Sequence, residues 1–390
     1  MSLLLLRDAR LYAPAALGHV DLLIGGGRVL QVGTALPALP AGVAHAEHDL
    51  GGRRVIPGLI DGHVHLTGGG GEAGLASKVP PLQLTQLTRA GVTSAVGVLG
   101  TDDVTRTTAE LVTAARGLAE LGFGAWCHTG GYHLPPTTLT GSVRGDIALI
   151  DRIIGVGEVA ISDHRSSQPT LDELLRVAAD AHVGGLMTGK AGILHLHLGD
   201  GPRGLDLVRR ALDTSELPPR VFQPTHVNRR RALFEEALAL AARGCTIDIS
   251  AFDIGPDEDA WSAADALERA WAAGVPAARL TVSSDGGGCL PRFDAEGRVA
   301  GYGVGTSATL PATIRSLLDR GHSLDRILPP FTSTPAALLR LAGKGQIAAG
   351  SDADLVVLDE GGGVHDVMLG GRWVVRAGRA VVTGPFEAEA

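Results

Sequence analysis

Residues 61–74 read DGHVHLTGGGGEAG, and they place two histidines one residue apart at the end of a short apolar run. On a β-strand, alternate side chains share a face, so His63 and His65 can bind a single metal ion. The alternative is that two histidines stand close together in a loop by chance. The residues downstream decide between these two interpretations.

Between Val55 and about Gly343, β-rich runs alternate with stretches of helical apolar periodicity. Eight strands are predicted, at 55–61, 93–99, 122–128, 156–162, 192–197, 220–226, 245–250 and 280–285. Eight β-then-α units are typical of a TIM barrel, an α/β fold whose functional side chains lie at the carboxyl ends of the strands. We therefore expect the chemistry at those ends.

The two ends of the chain have a different pattern, with short apolar runs separated by glycine-containing turns. We expect both ends to form one small β-sandwich domain, from residues 1–54 and 346–390. The TIM barrel would then occupy residues 55–345.

Composition excludes several classes of protein. A net charge of −8 and a pI near 5.9 give no basic surface for nucleic acid or an anionic membrane. No run of the sequence is long and apolar enough to cross a bilayer. The three cysteines are scattered, which favours neither a disulfide framework nor a cysteine-based zinc site. These observations favour the cytoplasm.

Polar residues stand at or near the carboxyl ends of five predicted strands. They are His63, His65, Glu158, His197, His226 and Asp285. Four imidazoles and two carboxylates are enough to bind two adjacent divalent ions, which together can acidify a shared water molecule. His195 would share the face of His197, but we expect it to be a core or hydrogen-bonding histidine.

Several segments together resemble the amidohydrolase superfamily, and within it the isoaspartyl dipeptidases. The most informative are IPGLIDGHVHLTGGGGEAG, TGGYHLPPTTLTGSV, AISDHRS, LHLGD, PTHVNR, SSDGGG and the late GSDADLVVLD. The paired histidines and the late aspartate are shared across the superfamily. GGGGEAG, SDHRS and THVNR are narrower and indicate the dipeptidase branch.

The resemblance implies a role for each matching metal-site residue. His63, His65 and Asp285 would hold one ion, His197 and His226 the second, and a carboxylate would bridge the two. Asp285 would also accept a proton from the bridging water as that water attacks the amide carbonyl. It would then donate this proton to the leaving amine. Tyr132 would polarise the amide carbonyl and stabilise the developing oxyanion.

For the substrate, the matching residues are Glu72, Thr101, Arg165, Arg229 and Cys289. Glu72 would pair with the substrate's ammonium group, and the two arginines would bind its carboxylates. Cys289 stands where the family usually has a serine near the substrate carboxylate, and a thiol is a weaker donor than a hydroxyl.

Glu158 is a second departure, because most of this family carries a carbamylated lysine as the bridging ligand. A glutamate supplies two oxygens directly but has a shorter side chain. The segment IIGVGEVAISDHRS is also one residue longer than the family pattern, so a β-bulge could move the strand inward. We expect metal binding to need no carbon dioxide.

The sequence thus predicts a metal-dependent hydrolase of β-aspartyl (isoaspartyl) dipeptides, in which a metal-bridging hydroxide attacks the amide carbonyl. Two zinc ions are the expected cofactors, and the resemblance implies a homo-oligomer. One alternative is an amidohydrolase of another small amide, such as an N-acyl amino acid or a cyclic imide. The other is a non-catalytic scaffold, although such proteins tend to lose metal ligands and all six positions here hold competent side chains.

Overall fold

The computed structural model describes residues 3–40, 42–255, 258–293 and 299–387. Its strands are β1 (Leu3–Tyr12), β2 (Ala16–Gly25), β3 (Arg28–Gly33), β4 (His45–Asp49), β5 (Arg54–Pro57), β6 (Leu59–Val64), β7 (Val92–Gly97), β8 (Gly124–Thr129), β9 (Ile153–Ile161), β10 (Leu194–Leu198), β11 (Phe222–Thr225), β12 (Ile247–Ser250), β13 (Leu280–Ser283), β14 (Cys289–Phe293), β15 (Val299–Val304), β16 (Leu355–Leu358), β17 (Val364–Leu369), β18 (Arg372–Arg376) and β19 (Arg379–Ala380).

The α-helices are α1 (Leu84–Thr88), α2 (Thr108–Glu120), α3 (Val143–Leu149), α4 (Leu171–Thr188), α5 (Asp206–Thr214), α6 (Arg231–Ala242), α7 (Ala263–Ala272), α8 (Thr309–Asp319), α9 (Leu324–Ile327) and α10 (Ser333–Leu338). Short 3-10 turns occupy Leu75–Ser77, Pro219–Val221, Ala277–Arg279 and Pro329–Phe331. Among the described residues, no helix combines the length and the apolar character needed to span a membrane.

Strands from both ends of the chain share one nine-stranded sheet, so the two ends join as predicted. Its order is β19-β18-β17-β16-β5-β1-β2-β3, with β4 paired to β1. β5 is parallel to β1 and antiparallel to β16, so it joins the amino-terminal strands to the carboxyl-terminal ones. The sheet has its own apolar core, which includes Leu6, Leu22, Val55, Leu355 and Met368.

The middle of the chain forms a curled parallel sheet with the order β11-β10-β9-β8-β7-β6. β12 and β13 form a further parallel pair. Backbone contacts connect this pair to both edges of the sheet, through His65 N to Gly286 O at 2.7 Å and Val227 N to Asp248 O at 3.4 Å. The six strands and the pair do not form one continuous ladder in the described part of the chain.

Local sequence explains why strands and helices alternate here. Strands β6, β7, β9 and β10 are buried along their whole length, which is typical of a parallel sheet covered on both faces. α4 begins with a capping box formed by Thr170 and Glu173, and Gly189 at its end has the left-handed backbone that favours glycine. From β6 to β13, a helix connects each parallel strand to the next.

The predicted first strand, 55–61, was wrong as a single element. Arg54–Pro57 belongs to the terminal sheet, and Leu59–Val64 is the first strand of the parallel sheet. The other predicted strands each overlap one observed strand. The domain limits, with a terminal domain of 1–54 and 346–390 and a central domain of 55–345, stay a prediction.

Candidate active site

The six predicted metal ligands lie together at the carboxyl edge of the parallel strands. His63 is in β6, Glu158 is in β9 and His197 is in β10. His65, His226 and Asp285 follow β6, β11 and β13 by one or two residues. The histidines and Glu158 are buried, and the Asp285 side chain is 14% exposed.

Glu158 lies at the centre of this group. Its Oε2 atom is 3.1 Å from Nδ1 of His197, 3.5 Å from Nε2 of His63 and 3.6 Å from Nε2 of His226. Its Oε1 atom is 3.5 Å from Nε2 of His65. One carboxylate therefore faces all four imidazoles.

Asp285 completes one side of the cluster. Its Oδ1 atom lies 3.1 Å from Nε2 of His65 and 3.5 Å from Nε2 of His63. Two sets of potential ligand atoms are close enough to share an ion, namely His63 with His65 and Asp285, and His63 with Glu158 and His226. His63 belongs to both sets. His197 lies next to the second set through its contact with Glu158.

The unpaired atoms of the cluster fit divalent cations. Nε2 of His63, Oε1 of Glu158 and Oδ1 of Asp285 are buried and have no hydrogen-bond partner in the described part of the chain. Leaving buried polar atoms unpaired is costly, and each of these atoms is a good ligand for zinc or a similar ion. The donor set therefore suits a pair of metal ions.

Both carboxylates of the cluster are held ionised. Burial would raise the pKa of Glu158, but the charge of His63 and hydrogen bonds from His197 and His226 hold that pKa well below its usual range. Burial opposes ionisation of Asp285 as well, but the adjacent imidazoles of His63 and His65 lower its pKa. Ionised carboxylates are the form that binds metal.

A β-bulge in β9 brings Glu158 to the centre. Leu194 of β10 pairs with Val156, but Leu196 pairs with Val159, so β9 has one extra residue between these two positions. This confirms the bulge predicted from the longer segment. At Gly157, a Cβ would lie 2.7 Å from the carbonyl oxygen of His195, which explains why a glycine occupies the bulge.

Tyr132 reaches the cluster from the loop after β8. Its hydroxyl lies 2.9 Å from Nδ1 of His197, and the guanidinium of Arg165 lies over its ring at 5.5 Å from the centroid. Burial and the charge of Glu158 raise the pKa of Tyr132 well above its ordinary value. The phenol therefore keeps its proton and can donate a hydrogen bond.

Three of the predicted substrate-binding residues lie together beside this cluster. Oε1 of Glu72 is 3.1 Å from the Thr101 hydroxyl and 3.3 Å from Nη1 of Arg165. The side chains of Glu72 and Arg165 are 24% and 22% exposed, so a solute can reach them. A carboxylate and a guanidinium thus stand side by side next to the metal-ligand cluster.

Arg229 and Cys289, the other two predicted substrate-binding residues, have different surroundings. Arg229 lies 2.9 Å from Oδ1 of Asp200 and 2.7 Å from the carbonyl oxygen of Leu198, which is in β10. Cys289 begins β14 and is partly exposed. Burial and the charge of Glu72 raise the pKa of the Cys289 thiol to about 11.

Comparison with known proteins agrees with this geometry. Residues 54–374 match the amidohydrolase family. The chain belongs to the amidohydrolase family. It is 40% identical to a β-aspartyl dipeptidase of the thermophilic, keratin-degrading Fervidobacterium islandicum AW-1, whose crystal structure contains a β-Asp-Leu dipeptide; 99% of each chain is covered and the TM-score is 0.93.

A second structure of the β-aspartyl dipeptidase from that organism is 38% identical, with a TM-score of 0.90 and coverage of 99% of this chain and 100% of the other. A dihydropyrimidinase from Brevibacillus agri NCHU1002 is 18% identical, with a TM-score of 0.67 and coverage of 97% and 96%. That likeness concerns the fold alone. The amidohydrolase fold, a curled parallel sheet with extra strands from both termini, is thus confirmed.

In this amidohydrolase, Asp163 belongs to the site although the sequence did not predict it. The carboxylate is buried, 3.1 Å from Nε2 of His197 and 2.7 Å from Nη2 of Arg165. It connects a metal-ligand candidate to a substrate-binding candidate. The available signal was its place in AISDHRS, two residues before Arg165.

Asp61 was also missed. It accepts hydrogen bonds from Ser284 N at 3.0 Å and from the Ser307 hydroxyl at 2.8 Å. Burial raises its pKa to about 6. Asp61, within β6, therefore connects this strand to the segment that carries Asp285. The sequence signal was its position two residues before His63.

Proposed function

We propose that this protein is a binuclear metallohydrolase that cleaves β-aspartyl dipeptides. The observation that supports this most is the Glu158-centred ligand cluster with Glu72 and Arg165 at its side. The full-length similarity to a β-aspartyl dipeptidase solved with β-Asp-Leu supports the same substrate class. We propose zinc as the metal because imidazole and carboxylate ligands suit it.

The proposed metal ligands are those that the family resemblance implies. His63, His65 and Asp285 would hold one ion, and His197 and His226 would hold the other, with Glu158 between them. When bound, the two ions would acidify a water molecule and polarise the carbonyl of the bond to be cut.

Two residues would carry the proton and charge transfers. Asp285, ionised and partly exposed, would accept the proton of the attacking water and deliver it to the leaving amine. The Tyr132 hydroxyl, which keeps its proton, would donate to the carbonyl oxygen as negative charge develops there.

The charged residues next to the cluster would select the β-linkage. In a β-aspartyl dipeptide, the free α-ammonium and α-carboxylate are on one carbon. Glu72, with Thr101 beside it, would bind the ammonium, and Arg165 would bind a carboxylate as a two-pronged donor. Arg229 would bind the second carboxylate, with Cys289 as a weak donor nearby.

We extend the proposal to the whole molecule. The six-stranded sheet and the β12–β13 pair would close into an eight-stranded TIM barrel over residues 55–345, and strands from residues 1–54 and 346–390 would form a β-sandwich domain. Three free cysteines support a reducing cytoplasm. The family resemblance supports a homo-oligomer.

The test is hydrolysis of three substrates by the zinc-loaded protein, namely β-Asp-Leu, α-Asp-Leu and N-acetyl-leucine. We expect turnover of β-Asp-Leu only. Turnover of N-acetyl-leucine alone would instead identify an amidohydrolase of N-acyl amino acids. Absence of turnover of β-Asp-Leu would overturn the proposal.

Substitution of Arg165 tests recognition separately. Arg165→Lys removes the two-pronged donor but keeps the charge, so KM for β-Asp-Leu should rise about 10–100-fold. Arg116 is the matched control because its guanidinium pairs with Asp151 and its side chain is 52% exposed. Arg116→Lys should leave KM unchanged.

A further inference from the structure

A row of hydrogen-bonded side chains leads from His63 into the interior of the curled sheet. Nδ1 of His63 is 2.7 Å from Nε2 of His195, and Nδ1 of His195 is 3.0 Å from Oε1 of Gln223. Nε2 of Gln223 is 3.2 Å from the Thr281 hydroxyl, which is 2.5 Å from Oδ1 of Asp248. Every one of these residues is at most 2% exposed.

Asp248 fixes the direction of the last bond. Its two oxygens accept from three hydroxyls, those of Thr281, Thr225 and Ser283, at distances of 2.5–2.6 Å. A carboxylate that accepts from three hydroxyls has no proton to donate. Thr281 must therefore donate its single hydroxyl proton to Asp248.

This direction propagates along the row. Because Thr281 donates to Asp248, it can only accept from Gln223, which turns the amide nitrogen toward Thr281 and the amide oxygen toward His195. The amide oxygen accepts, so Nδ1 of His195 carries the proton. Nε2 of His195 is then an acceptor, and the bond with His63 requires the proton on Nδ1 of His63.

We propose that Asp248, acting through Thr281, Gln223 and His195, fixes His63 in the tautomer whose Nε2 lone pair faces the metal site. Nε2 of His63 is the atom that lies 3.5 Å from both Glu158 and Asp285 and has no hydrogen-bond partner among the described residues. Asp248, Thr281, Gln223 and His195 are positioning residues, because they act on the metal site only through His63. The inference rests on the proposed role of His63 as a metal ligand.

The surroundings of His226, by contrast, do not fix its tautomer. Its Nδ1 atom is 2.7 Å from the Ser250 hydroxyl, which can either donate or accept. A hydroxyl by itself does not select a tautomer. The row behind His63 does so because it ends on a group that only accepts.

The chain offers a matched pair of substitutions. Thr281→Val and Thr225→Val each remove one buried hydroxyl that donates to Asp248, at 2.5 and 2.6 Å respectively. Only Thr281 also accepts from Gln223. A purely structural role would therefore affect both variants alike, whereas the proposed relay is interrupted in Thr281→Val alone.

The experiment measures the zinc dissociation constants of the full-length chain by competition with a chelator. We expect Thr281→Val to weaken one of the two zinc sites about 10–100-fold, the usual effect of losing a partner behind a metal ligand, and Thr225→Val to bind like the unmodified chain. Equal constants for the two variants would overturn the relay. If the unmodified chain bound no zinc, the proposed function would fail as well.

A second measurement uses the unmodified chain, so it does not depend on whether a variant folds. Two-bond 15N–1H correlation of the zinc-loaded chain, with 15N-labelled histidine, reports the protonated nitrogen of each ring. We expect the proton of His63 on Nδ1 and the proton of His195 also on Nδ1, with Nε2 of His195 unprotonated. A proton on Nε2 of His63 would overturn the proposal even if zinc binding were normal.

Discussion

Oε2 of Glu158 lies 3.1 Å from Nδ1 of His197, so a glutamate carboxylate directly faces the imidazole of a proposed metal ligand. The same carboxylate faces His63, His65 and His226. Glu158→Gln keeps the shape of the side chain but removes its charge and one acceptor. We expect this variant to bind less than two metal ions per chain and to lose nearly all activity, measured by metal analysis and β-Asp-Leu hydrolysis.

The control for this substitution is Glu235→Gln, because Glu235 is exposed on α6. It should retain two metal ions and full activity. A full complement of two ions in Glu158→Gln would show that Glu158 is not a bridging ligand.

A glutamate bridge has a second consequence, which concerns carbon dioxide. A carbamylated lysine forms only when carbon dioxide is available, whereas the Glu158 carboxylate is already present and ionised. Reconstitution of the metal-free protein with zinc should therefore give the same activity in bicarbonate-depleted buffer as in bicarbonate-supplemented buffer. A strong stimulation by bicarbonate would contradict this expectation.

Removal of the Tyr132 hydroxyl should slow the chemical step. The hydroxyl is buried in the cluster and keeps its proton, so it is available to stabilise negative charge on the carbonyl oxygen. Tyr132→Phe should lower kcat about 10²–10³-fold, with a much smaller change in KM. Metal content should stay at two ions, and Tyr12→Phe in the terminal sheet should have normal kinetics.

The sequence predicted the ligand cluster because the position of each ligand depends only on its place within its own strand. A strand places alternate residues on one face, and parallel strands bring their carboxyl ends to one edge, so His63, His197 and His226 could be grouped without knowing the packing. The bulge at Glu158 was also predictable, because the segment has one residue more than the family pattern.

Other features depend on the fold and left no periodic signal. The run VIPGLI is buried throughout, so its apolar character could not reveal that it leaves the terminal sheet at Pro57 and enters the parallel sheet at Leu59. Asp163 acts by reaching His197, 34 residues away in sequence, which only the folded chain brings within 3.1 Å. The same holds for Gln223 and Thr281, which are 58 residues apart and resemble ordinary strand residues.

The bulge in β9 should not tolerate a larger residue at Gly157. A Cβ there would lie 2.7 Å from the His195 carbonyl oxygen and 2.8 Å from the His195 Cβ, and φ is +153°. Gly157→Ala should lower the free energy of unfolding by about 1–3 kcal/mol and weaken zinc binding, as Glu158 and His195 are displaced. Denaturant unfolding and metal analysis measure the two effects.

Gly117 in α2 is the matched control for this substitution, because an added Cβ there meets no atom within 4 Å. Gly117→Ala should raise the free energy of unfolding by roughly 0.5–1 kcal/mol, since glycine is unfavourable inside a helix. A stabilising effect of Gly157→Ala as well would mean that the bulge is not tightly packed against His195.

Cys289 should react slowly with alkylating agents at neutral pH, although its side chain is partly exposed. Only the thiolate is nucleophilic, and burial together with the charge of Glu72 raises the pKa of this thiol to about 11. Below that pKa the thiolate fraction, and with it the iodoacetamide reaction rate of the metal-free protein, should rise about tenfold per pH unit from pH 8 to pH 10. Mass spectrometry assigns the label, and Cys289→Ser is the control, since Cys127 and Cys245 are buried. A rate that levels off between pH 8 and pH 9 would indicate an ordinary thiol and would contradict the raised pKa of Cys289.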